Sequence, residues 1–206
     1  MRYGMAIDLK RCIGCHMCSV ACKSNNNLPA GMLWNRVLTI GGEAIDTASG
    51  TYPNDLHMSY LPVNCQHCAN PPCVAACPTG ASYKRAEDGI VLVDSDLCIG
   101  CRMCMVACPY NARSFNWKKP EYAVDFALGD ADAPEHQFNV VEKCTFCVNR
   151  LARGEAPACM ELCSGRARYW GDLDDPESEV NKAMQGRQTV QLLEEKGTGP
   201  AVFYLK

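Results

Sequence analysis

Cysteines spaced for metal binding occur in four groups along this chain. Residues 12–23 read CIGCHMCSVACK and residues 98–109 read CIGCRMCMVACP, so the pattern C-x2-C-x2-C-x3-C occurs twice. Residues 65–77 widen one gap to four residues, and residues 144–163 widen the middle gap to eleven. These groups, called blocks one to four in chain order, contain all 16 cysteines. Such compact groups favour metal ligands over disulfides, because a C-x2-C pair can turn both sulfurs toward one centre.

The repeated spacing is that of bacterial ferredoxins, in which three cysteines hold one 4Fe-4S cluster and the fourth reaches the neighbouring cluster. Blocks should therefore work in pairs, and each pair should enclose two clusters. Pro78 and Pro109 follow the last cysteine of blocks two and three, whereas Lys23 and Ser164 follow blocks one and four. This difference predicts that blocks two and three (65–77 with 98–108) form one pair. Blocks one and four (12–22 with 144–163) would form the other, within a single compact body over residues 1–206.

Zinc is the alternative metal. A structural zinc site takes four ligands, usually from two C-x2-C pairs, and block four alone could supply such a site. The crowded triplets of the other blocks suit the separated irons of a cubane better than one tetrahedral ion. The cysteine pattern therefore predicts iron-sulfur clusters.

The order of the blocks, together with the stretches PPCVAACPTGA, CIGCRMC followed by CPY, and KCTFCVNRLARGEAPAC, resembles one family. It is the iron-sulfur electron-transfer subunit of the dimethyl sulfoxide reductase family of molybdopterin oxidoreductases. The resemblance runs from Tyr3 to about Val180 and implies four 4Fe-4S clusters in a row. Ser164 departs from the proline that relatives often have at this position.

The resemblance also implies the cluster ligands, position by position. The first cluster would take Cys12, Cys15, Cys18 and Cys163, and the second Cys22, Cys144, Cys147 and Cys159. The third would take Cys65, Cys68, Cys73 and Cys108, and the fourth Cys77, Cys98, Cys101 and Cys104.

No nucleophile, acid-base pair or substrate pocket is readable, so we expect a non-catalytic electron-transfer subunit. The family implies a molybdopterin catalytic subunit (molybdenum or tungsten) at the Cys12 end and a quinone-linked membrane anchor at the Cys98 end. A ferredoxin-like subunit of a hydrogenase or carbon monoxide dehydrogenase complex is the alternative function, and it would have a nickel-containing partner.

Charge and hydropathy limit the other partners. A formal net charge of −3 gives no electrostatic reason to expect nucleic acid. No apolar run is long enough to span a membrane, so membrane association would come through partner subunits. The amino terminus, MRYGMAIDLKRC, does not read as a signal peptide. Export bound to a signal-bearing catalytic partner would place the complex outside the cytoplasm.

The elements between the blocks predict an α+β fold, a tandem ferredoxin-like core with long loop insertions at 23–64 and 110–143. YGMAID and GIVLVD read as strands, and residues 82–94 as a hairpin turning at Asp88-Gly89. Short helices should include CSVAC and CMVAC. A helix should start near DDPESEVNKAM, capped by Asp174 or Asp175 with Pro176 in its first turn.

Histidines and cations near the blocks have two readings each. His16 and His67 could suggest Rieske-type ligation, but every cluster already has four thiolates, so we expect loop residues facing solvent or a partner.

Five cations that flank the blocks could stabilise reduced clusters, but the prediction for each is a solvated surface charge. These cations are Arg11, Lys23, Arg102, Lys143 and Arg150.

Overall fold

Strands from the two ends of the chain form a four-stranded sheet in the computed structural model, which describes residues 1–41, 47–122 and 124–206. Their spatial order is β8 (Arg168–Asp172), β1 (Tyr3–Asp8), β10 (Val202–Leu205) and β9 (Thr189–Val190). β1 runs parallel to β10 and antiparallel to β8, with Met5 opposite both Val202 and Trp170. The predicted strand YGMAID is confirmed, and it lies inside this sheet.

β1 is buried on both faces, as expected of a central strand. Met5 and Ile7 face the main core, which also contains several block cysteines. Ala6 faces the opposite side, where it packs with Val180 and Leu205 under helix α6 (Glu179–Met184). The sheet therefore separates the cysteine-containing core from the carboxyl-terminal helix.

The carboxyl-terminal helix begins later than its sequence suggests. The predicted caps, Asp174 and Asp175, are wrong: Ser178 is the N-cap, and its hydroxyl accepts a hydrogen bond from the Asn181 N–H at 3.4 Å. Pro176 precedes the helix and lies outside its first turn. The backbone of Ser178 is extended, with φ −63° and ψ 151°, which is the usual geometry of a capping residue.

Three antiparallel hairpins complete the β structure in the described ranges. They pair β2 (Arg36–Ile40) with β3 (Ser59–Val63), β4 (Ser82–Lys84) with β5 (Val91–Val93), and β6 (Ser114–Phe115) with β7 (Val141–Glu142). The predicted turn at Asp88-Gly89 is confirmed. The Asp88 carboxylate accepts a hydrogen bond from the Ile90 N–H at 3.0 Å, and Gly89 has a φ of +74°.

Short helices follow the cysteine loops, as the sequence predicts. They are α1 (Met17–Asn25), α2 (Pro72–Ala75), α3 (Met103–Val106), α4 (Val148–Ala152) and α5 (Ala158–Glu161), and a 3-10 helix lies at Glu194–Lys196. α1 contains CSVAC and α3 contains most of CMVAC. No helix among the described residues has the length and apolar character needed to cross a bilayer.

The two segments predicted as long loop insertions are only partly irregular. The first, 23–64, contains the end of α1 and the β2-β3 hairpin, and its residues 42–46 lie outside the described ranges. The second, 110–143, contains β6 and β7, and its residue 123 is likewise not described. Long insertions are therefore not confirmed, whereas the mixed helix and strand content of the prediction is.

The sheet and one hairpin explain why the blocks meet in pairs. β1 ends four residues before Cys12, and β8 begins five residues after Cys163, so their pairing brings blocks one and four together. β4 begins five residues after Cys77, and β5 ends five residues before Cys98, so this hairpin joins blocks two and three.

An aspartate at the end of a strand directs the chain into each repeated cysteine loop. The Asp8 carboxylate accepts hydrogen bonds from the N–H groups of Lys10 (3.0 Å) and Arg11 (3.1 Å) and pairs with Arg187 Nη1 at 2.7 Å. Asp94, which precedes Cys98, accepts from the N–H of Asp96 at 2.9 Å. These are Asx turns, in which a side chain replaces backbone hydrogen bonds.

Asp8→Asn tests how strongly the first of these turns holds the fold. Burial favours the neutral acid, but hydrogen bonds from Arg187 and from the Arg11 N–H outweigh it and hold the pKa of Asp8 below its ordinary 3.8. Asp8 is therefore ionised in both folded and unfolded protein at pH 5 to 7, and its stabilising effect is lost only as the pH falls through the lowered folded-state pKa. We expect Asp8→Asn to reduce the free energy of unfolding by about 1 to 3 kcal/mol.

Thermal unfolding under anaerobic conditions at pH 5 and pH 7 measures this loss, which should be the same at both values. Asp94→Asn is the matched control, because Asp94 makes the same kind of turn without an ion pair in the described part of the chain. Equal losses in the two variants would contradict a role for the Arg187 pair.

Candidate metal centre

The loops of blocks one and three share one backbone conformation. Gly14 and Gly100 have φ values of +67° and +69°, and the residues before the helices, His16 and Arg102, have φ values of +59° and +62°. A Cβ at Gly14 would lie 2.3 Å from the Tyr60 ring, so both the left-handed backbone and the close contact require glycine. The sequence repeat is thus a structural repeat.

Four cavities lie beside the loops, and four cysteines line each of them. Cavity I has Cys12, Cys15, Cys18 and Cys163, and cavity II has Cys22, Cys144, Cys147 and Cys159. Cavity III has Cys65, Cys68, Cys73 and Cys108, and cavity IV has Cys77, Cys98, Cys101 and Cys104. The structure therefore brings together each group of four that the sequence analysis placed around one cluster.

Each cavity draws cysteines from two blocks. The last cysteine of every block lies apart from its neighbours: Cys163 joins the block-one loop, Cys22 the block-four cysteines, Cys108 the block-two loop and Cys77 the block-three loop. The short helices α1, α2, α3 and α5 produce this exchange, because the final C-x3-C step of each block spans about one helical turn.

The spacing of the cysteines fits a group larger than one ion. Thiolates around one tetrahedral zinc would stand about 3.8 Å apart, since each Zn–S bond is about 2.3 Å. Within the described ranges, no three His, Cys, Asp or Glu side chains are grouped closely enough to share a single metal ion.

Electrostatic interactions between cysteines of different cavities indicate the order of the cavities. The Cys18 sulfur of cavity I lies within electrostatic reach of Cys159 of cavity II. Cys65 of cavity III acts in the same way on Cys144 of cavity II, and Cys73 of cavity III acts on Cys104 of cavity IV. The cavities therefore follow one another in the order I, II, III, IV.

Burial differs between the end cavities and the middle ones. Cys15 of cavity I and Cys101 of cavity IV are exposed, whereas all four cysteines of cavity II are buried. Burial raises the pKa of Cys68 and of Cys159 to about 11, because a thiolate is poorly stabilised in the core. At neutral pH such thiols keep their protons unless a metal cation displaces them.

Hydrogen bonds to sulfur show that the loops are built to hold thiolates. The N–H groups of Ser82 and Ala167 donate to Cys77 and Cys163, each at 3.3 Å. These two sulfurs are the last cysteines of blocks two and four, and they sit at the two ends of the row of cavities. N–H donors near cluster sulfurs stabilise negative charge and raise reduction potentials.

Three buried cations lie among the cysteines, and their surroundings also fit anionic clusters. Lys143, Arg113 and Arg168 are only 2%, 4% and 3% exposed. None of the three forms an ion pair with a carboxylate in the part of the chain that the structure describes. A buried cation without a counter-charge destabilises the folded protein. Clusters with negatively charged thiolate ligands would supply that counter-charge.

Of these cations, only Lys143 had a role predicted from the sequence, and that prediction was wrong. Lys143 is not a solvated surface charge: its Nζ donates hydrogen bonds to the backbone carbonyls of Val91 and Cys144. Arg113 and Arg168 were missed, since burial of a lone arginine leaves little mark in one sequence. The one available signal for Arg168 was its place at the start of a strand that packs on the core.

The other flanking cations have varied surroundings. Arg11 and Arg102 are exposed, in agreement with the prediction of surface charges, although Arg102 also lies 4.7 Å from the centre of the Trp117 ring. Lys23 is partly buried, and its Nζ donates to the Pro29 carbonyl at 2.7 Å. Arg150 is also partly buried, and it pairs with Glu161. Both therefore stabilise the loops around them.

His67 corrects a second prediction. It does not face solvent or a partner, because it is 2% exposed and its Nδ1 accepts a hydrogen bond from the Val91 N–H at 3.1 Å. Its ring stacks on Phe146 with centroids 3.6 Å apart and an interplanar angle of 18°. His67 belongs to the block-two loop and Phe146 to the block-four loop, so the stack joins the two pairs of blocks. His16 is partly exposed.

Comparisons with known proteins agree with this geometry. The model of a 4Fe-4S dicluster domain family matches residues 56–124 and 130–173, which is more than half of the chain. A second model with the same description matches residues 11–81. The chain is therefore a 4Fe-4S dicluster protein.

Individual relatives show which kind of iron-sulfur protein this chain is. The chain is 53% identical to a dimethyl sulfoxide reductase iron-sulfur subunit of Halobacterium salinarum, over 98% of this chain and 78% of the relative. It is 39% identical to the arsenate respiratory reductase iron-sulfur subunit of a Shewanella species, over 100% and 97%. It is 42% identical to a selenate reductase subunit of Mesobacillus selenatarsenatis, over 98% and 70%. The chain belongs to the iron-sulfur subunits of the dimethyl sulfoxide reductase family.

Membership of this family settles the cofactor and the kind of activity. The protein carries four 4Fe-4S clusters and is a non-catalytic electron-transfer subunit of a reductase. A bound 4Fe-4S cluster supplies a one-electron redox centre, and its potential depends on net charge, hydrogen bonds to sulfur and solvent exposure. The predicted family, cofactor and non-catalytic role are all confirmed.

Proposed function

We propose that this chain carries electrons between a molybdopterin catalytic subunit and a quinone-linked membrane anchor, along a row of clusters held in cavities I to IV. The observation that carries the proposal is the exchange of the last cysteine of every block between cavities. It gives each cavity four thiols and makes cavities I and II neighbours, and likewise cavities III and IV, while the His67–Phe146 stack joins the two pairs. All four blocks then work as one body over residues 1–206.

The proposed ligands follow from this exchange. They are Cys12, Cys15, Cys18 and Cys163 for the first cluster and Cys22, Cys144, Cys147 and Cys159 for the second. For the third they are Cys65, Cys68, Cys73 and Cys108, and for the fourth Cys77, Cys98, Cys101 and Cys104.

Exposed apolar side chains surround both ends of the row. Ile13 lines cavity I and Ile99 lines cavity IV, and they are 63% and 61% exposed. Each is two residues from an exposed cysteine, Cys15 or Cys101. Val20 on α1 and Val106 on α3 are 55% and 86% exposed. Apolar patches of this kind mark contact surfaces, and here they lie where an electron would enter or leave.

The resemblance to the family orients the row. The Cys12 end would contact the catalytic subunit and the Cys98 end the anchor, so a respiratory reductase would draw electrons from quinol at the Cys98 end. The relatives are similar iron-sulfur subunits of reductases named for dimethyl sulfoxide, arsenate and selenate. Because the iron-sulfur subunits are alike and the substrates differ, the catalytic partner would determine the substrate. Export with a signal-bearing catalytic subunit would place the complex on the outer side of the membrane.

Metal counts on the native complex test the proposal as a whole. The complex is purified anaerobically from its own cells, and iron, zinc, nickel, molybdenum and tungsten are counted per copy of each polypeptide. We expect about sixteen irons per copy of this chain, four for each of four clusters, together with a large molybdenum or tungsten protein. Iron with nickel and neither molybdenum nor tungsten would favour the hydrogenase alternative instead.

Cysteine-to-serine variants test the exchange of ligands. Cys108 lies in block three but lines cavity III, so Cys108→Ser should perturb the same cluster signal as Cys68→Ser. Cys101→Ser is the matched control from block three that lines cavity IV. Electron paramagnetic resonance (EPR) during a redox titration distinguishes the signals. A Cys108→Ser spectrum that matches Cys101→Ser would contradict the proposed ligands.

A matched pair of valines tests the orientation. Val20 and Val106 occupy equivalent positions of the repeat at opposite ends of the row. Val20→Asp should reduce recovery of the catalytic subunit with this chain about tenfold or more, because a carboxylate buried in an apolar interface costs over 1 kcal/mol. Val106→Asp should reduce recovery in the membrane fraction instead.

The measurement is the amount of each partner recovered with this chain after affinity purification. The iron content of each variant shows whether it assembles. If Val20→Asp releases the chain from membranes and Val106→Asp releases the catalytic subunit, the proposed orientation is reversed.

A further inference from the structure

Each boundary between consecutive cavities contains one buried cation. Arg168 lies between cavities I and II, Lys143 between II and III, and Arg113 between III and IV. Two of them, Arg113 and Arg168, lie several residues beyond the nearest cysteine block. Their positions follow from hydrogen bonds and burial.

Arg168 contacts both members of the first pair of cavities. It lines cavity I, and its Nη1 lies 3.7 Å from the Cys159 sulfur of cavity II. Nη2 donates to Asn35 Oδ1 at 3.1 Å, and Nη1 lies 3.3 Å from Asn64 Oδ1; both amides line cavity II. The guanidinium is therefore held by neutral groups at the boundary, with sulfurs on either side.

Lys143 holds the corresponding position between the two pairs of blocks. Its Nζ donates to the Cys144 carbonyl of cavity II at 2.8 Å and to the Val91 carbonyl, and Val91 lines cavity III. Its charge also acts on Cys65 and Cys73 of cavity III. The same boundary holds the His67–Phe146 stack.

Arg113 completes the series. It lines cavity III, and its Nη1 donates to Ser82 Oγ at 2.8 Å, a residue that lines cavity IV. Its Nη2 is buried without a hydrogen-bond partner among the described residues. Arg113 and Lys143 also lie within electrostatic reach of each other, so two like charges share one buried region. Anionic groups beside them would offset this repulsion.

We propose that Arg168, Lys143 and Arg113 are positioning residues that raise the reduction potentials of the two clusters on either side of each. The proposal rests on the ligands proposed above. A fixed positive charge in a medium of low dielectric favours the more negative, reduced state of any centre within a few ångströms. Placed at a boundary, one charge acts on both neighbours and keeps their potentials close together.

The test compares neutral with charge-keeping variants in the assembled complex. Arg168→Gln should lower the midpoint potentials of the first and second clusters, Lys143→Gln those of the second and third, and Arg113→Gln those of the third and fourth. Arg168→Lys, Lys143→Arg and Arg113→Lys should leave the potentials close to wild type. Lys182→Met is the control, because Lys182 is exposed on α6 and pairs with Glu177.

EPR-monitored redox titration gives the potentials, and iron per chain shows whether each variant assembles. Neutral variants that keep all their iron and show wild-type potentials would overturn the proposal. So would charge-keeping variants whose potentials fall as far as those of the neutral ones, since the role would then be one of shape. The iron content of the wild-type protein and the EPR signals of the cysteine-to-serine variants test the proposed ligands separately. If the ligand assignment is wrong, those two measurements show it before any potentials are compared.

Loss of iron is also informative. Neutral variants could fail to assemble, and so could a second set with methionine in place of glutamine. In that case, the identity of the lost clusters tests the proposal. Loss confined to the two flanking clusters, with recovery in the charge-keeping variant, would support the proposal. Loss of all four clusters in both kinds of variant would overturn it, because the side chain would then be needed only for the fold.

Discussion

The structure depends on one geometric constraint: the thiols around each cavity come from two separate parts of the chain. A loop of three closely spaced cysteines surrounds part of a cavity, and the short helix that follows carries the fourth cysteine toward the next. Blocks one and four must therefore meet, although more than a hundred residues separate them. The pairing of β1 with β8 achieves this, and β10 closes the sheet from the carboxyl-terminal side.

Charge is the second constraint. Sixteen cysteines, most of them buried or partly buried, would carry a large negative charge once they bind iron. Buried cations and backbone N–H donors oppose that charge, and none of the three buried cations forms an ion pair with a carboxylate among the described residues. The fold thus stabilises the clusters, and the clusters in turn give the buried cations a counter-charge. Cofactor binding and folding should be strongly coupled for this reason.

Exposure distinguishes the ends of the row from its middle. All four cysteines of cavity II are buried, whereas cavities I and IV each have an exposed cysteine and exposed apolar neighbours. A row with buried centres and open ends suits transfer through the protein between two partners. The His67–Phe146 stack fixes the central boundary, where the two pairs of blocks are in contact.

The cysteine spacing alone predicts the metal chemistry, because three thiols within seven residues constrain the local loop whatever surrounds it. The sequence also predicted the strands YGMAID and GIVLVD and the turn at Gly89, since each is marked by residue type or spacing over a short range. The cap of α6 was misplaced by a few residues, because several aspartates and serines compete for it locally.

Which charged and polar side chains are buried follows from how the folded chain packs. His67 and Lys143 look like ordinary loop residues in the sequence, yet both lie in the core at the boundary between cavities II and III. Arg113 gave no signal in the sequence, and Arg168 had only its place at the start of a strand. The reason is physical: the environment of a charged side chain is made by segments distant in sequence, and in a single chain no local pattern records which of them come together.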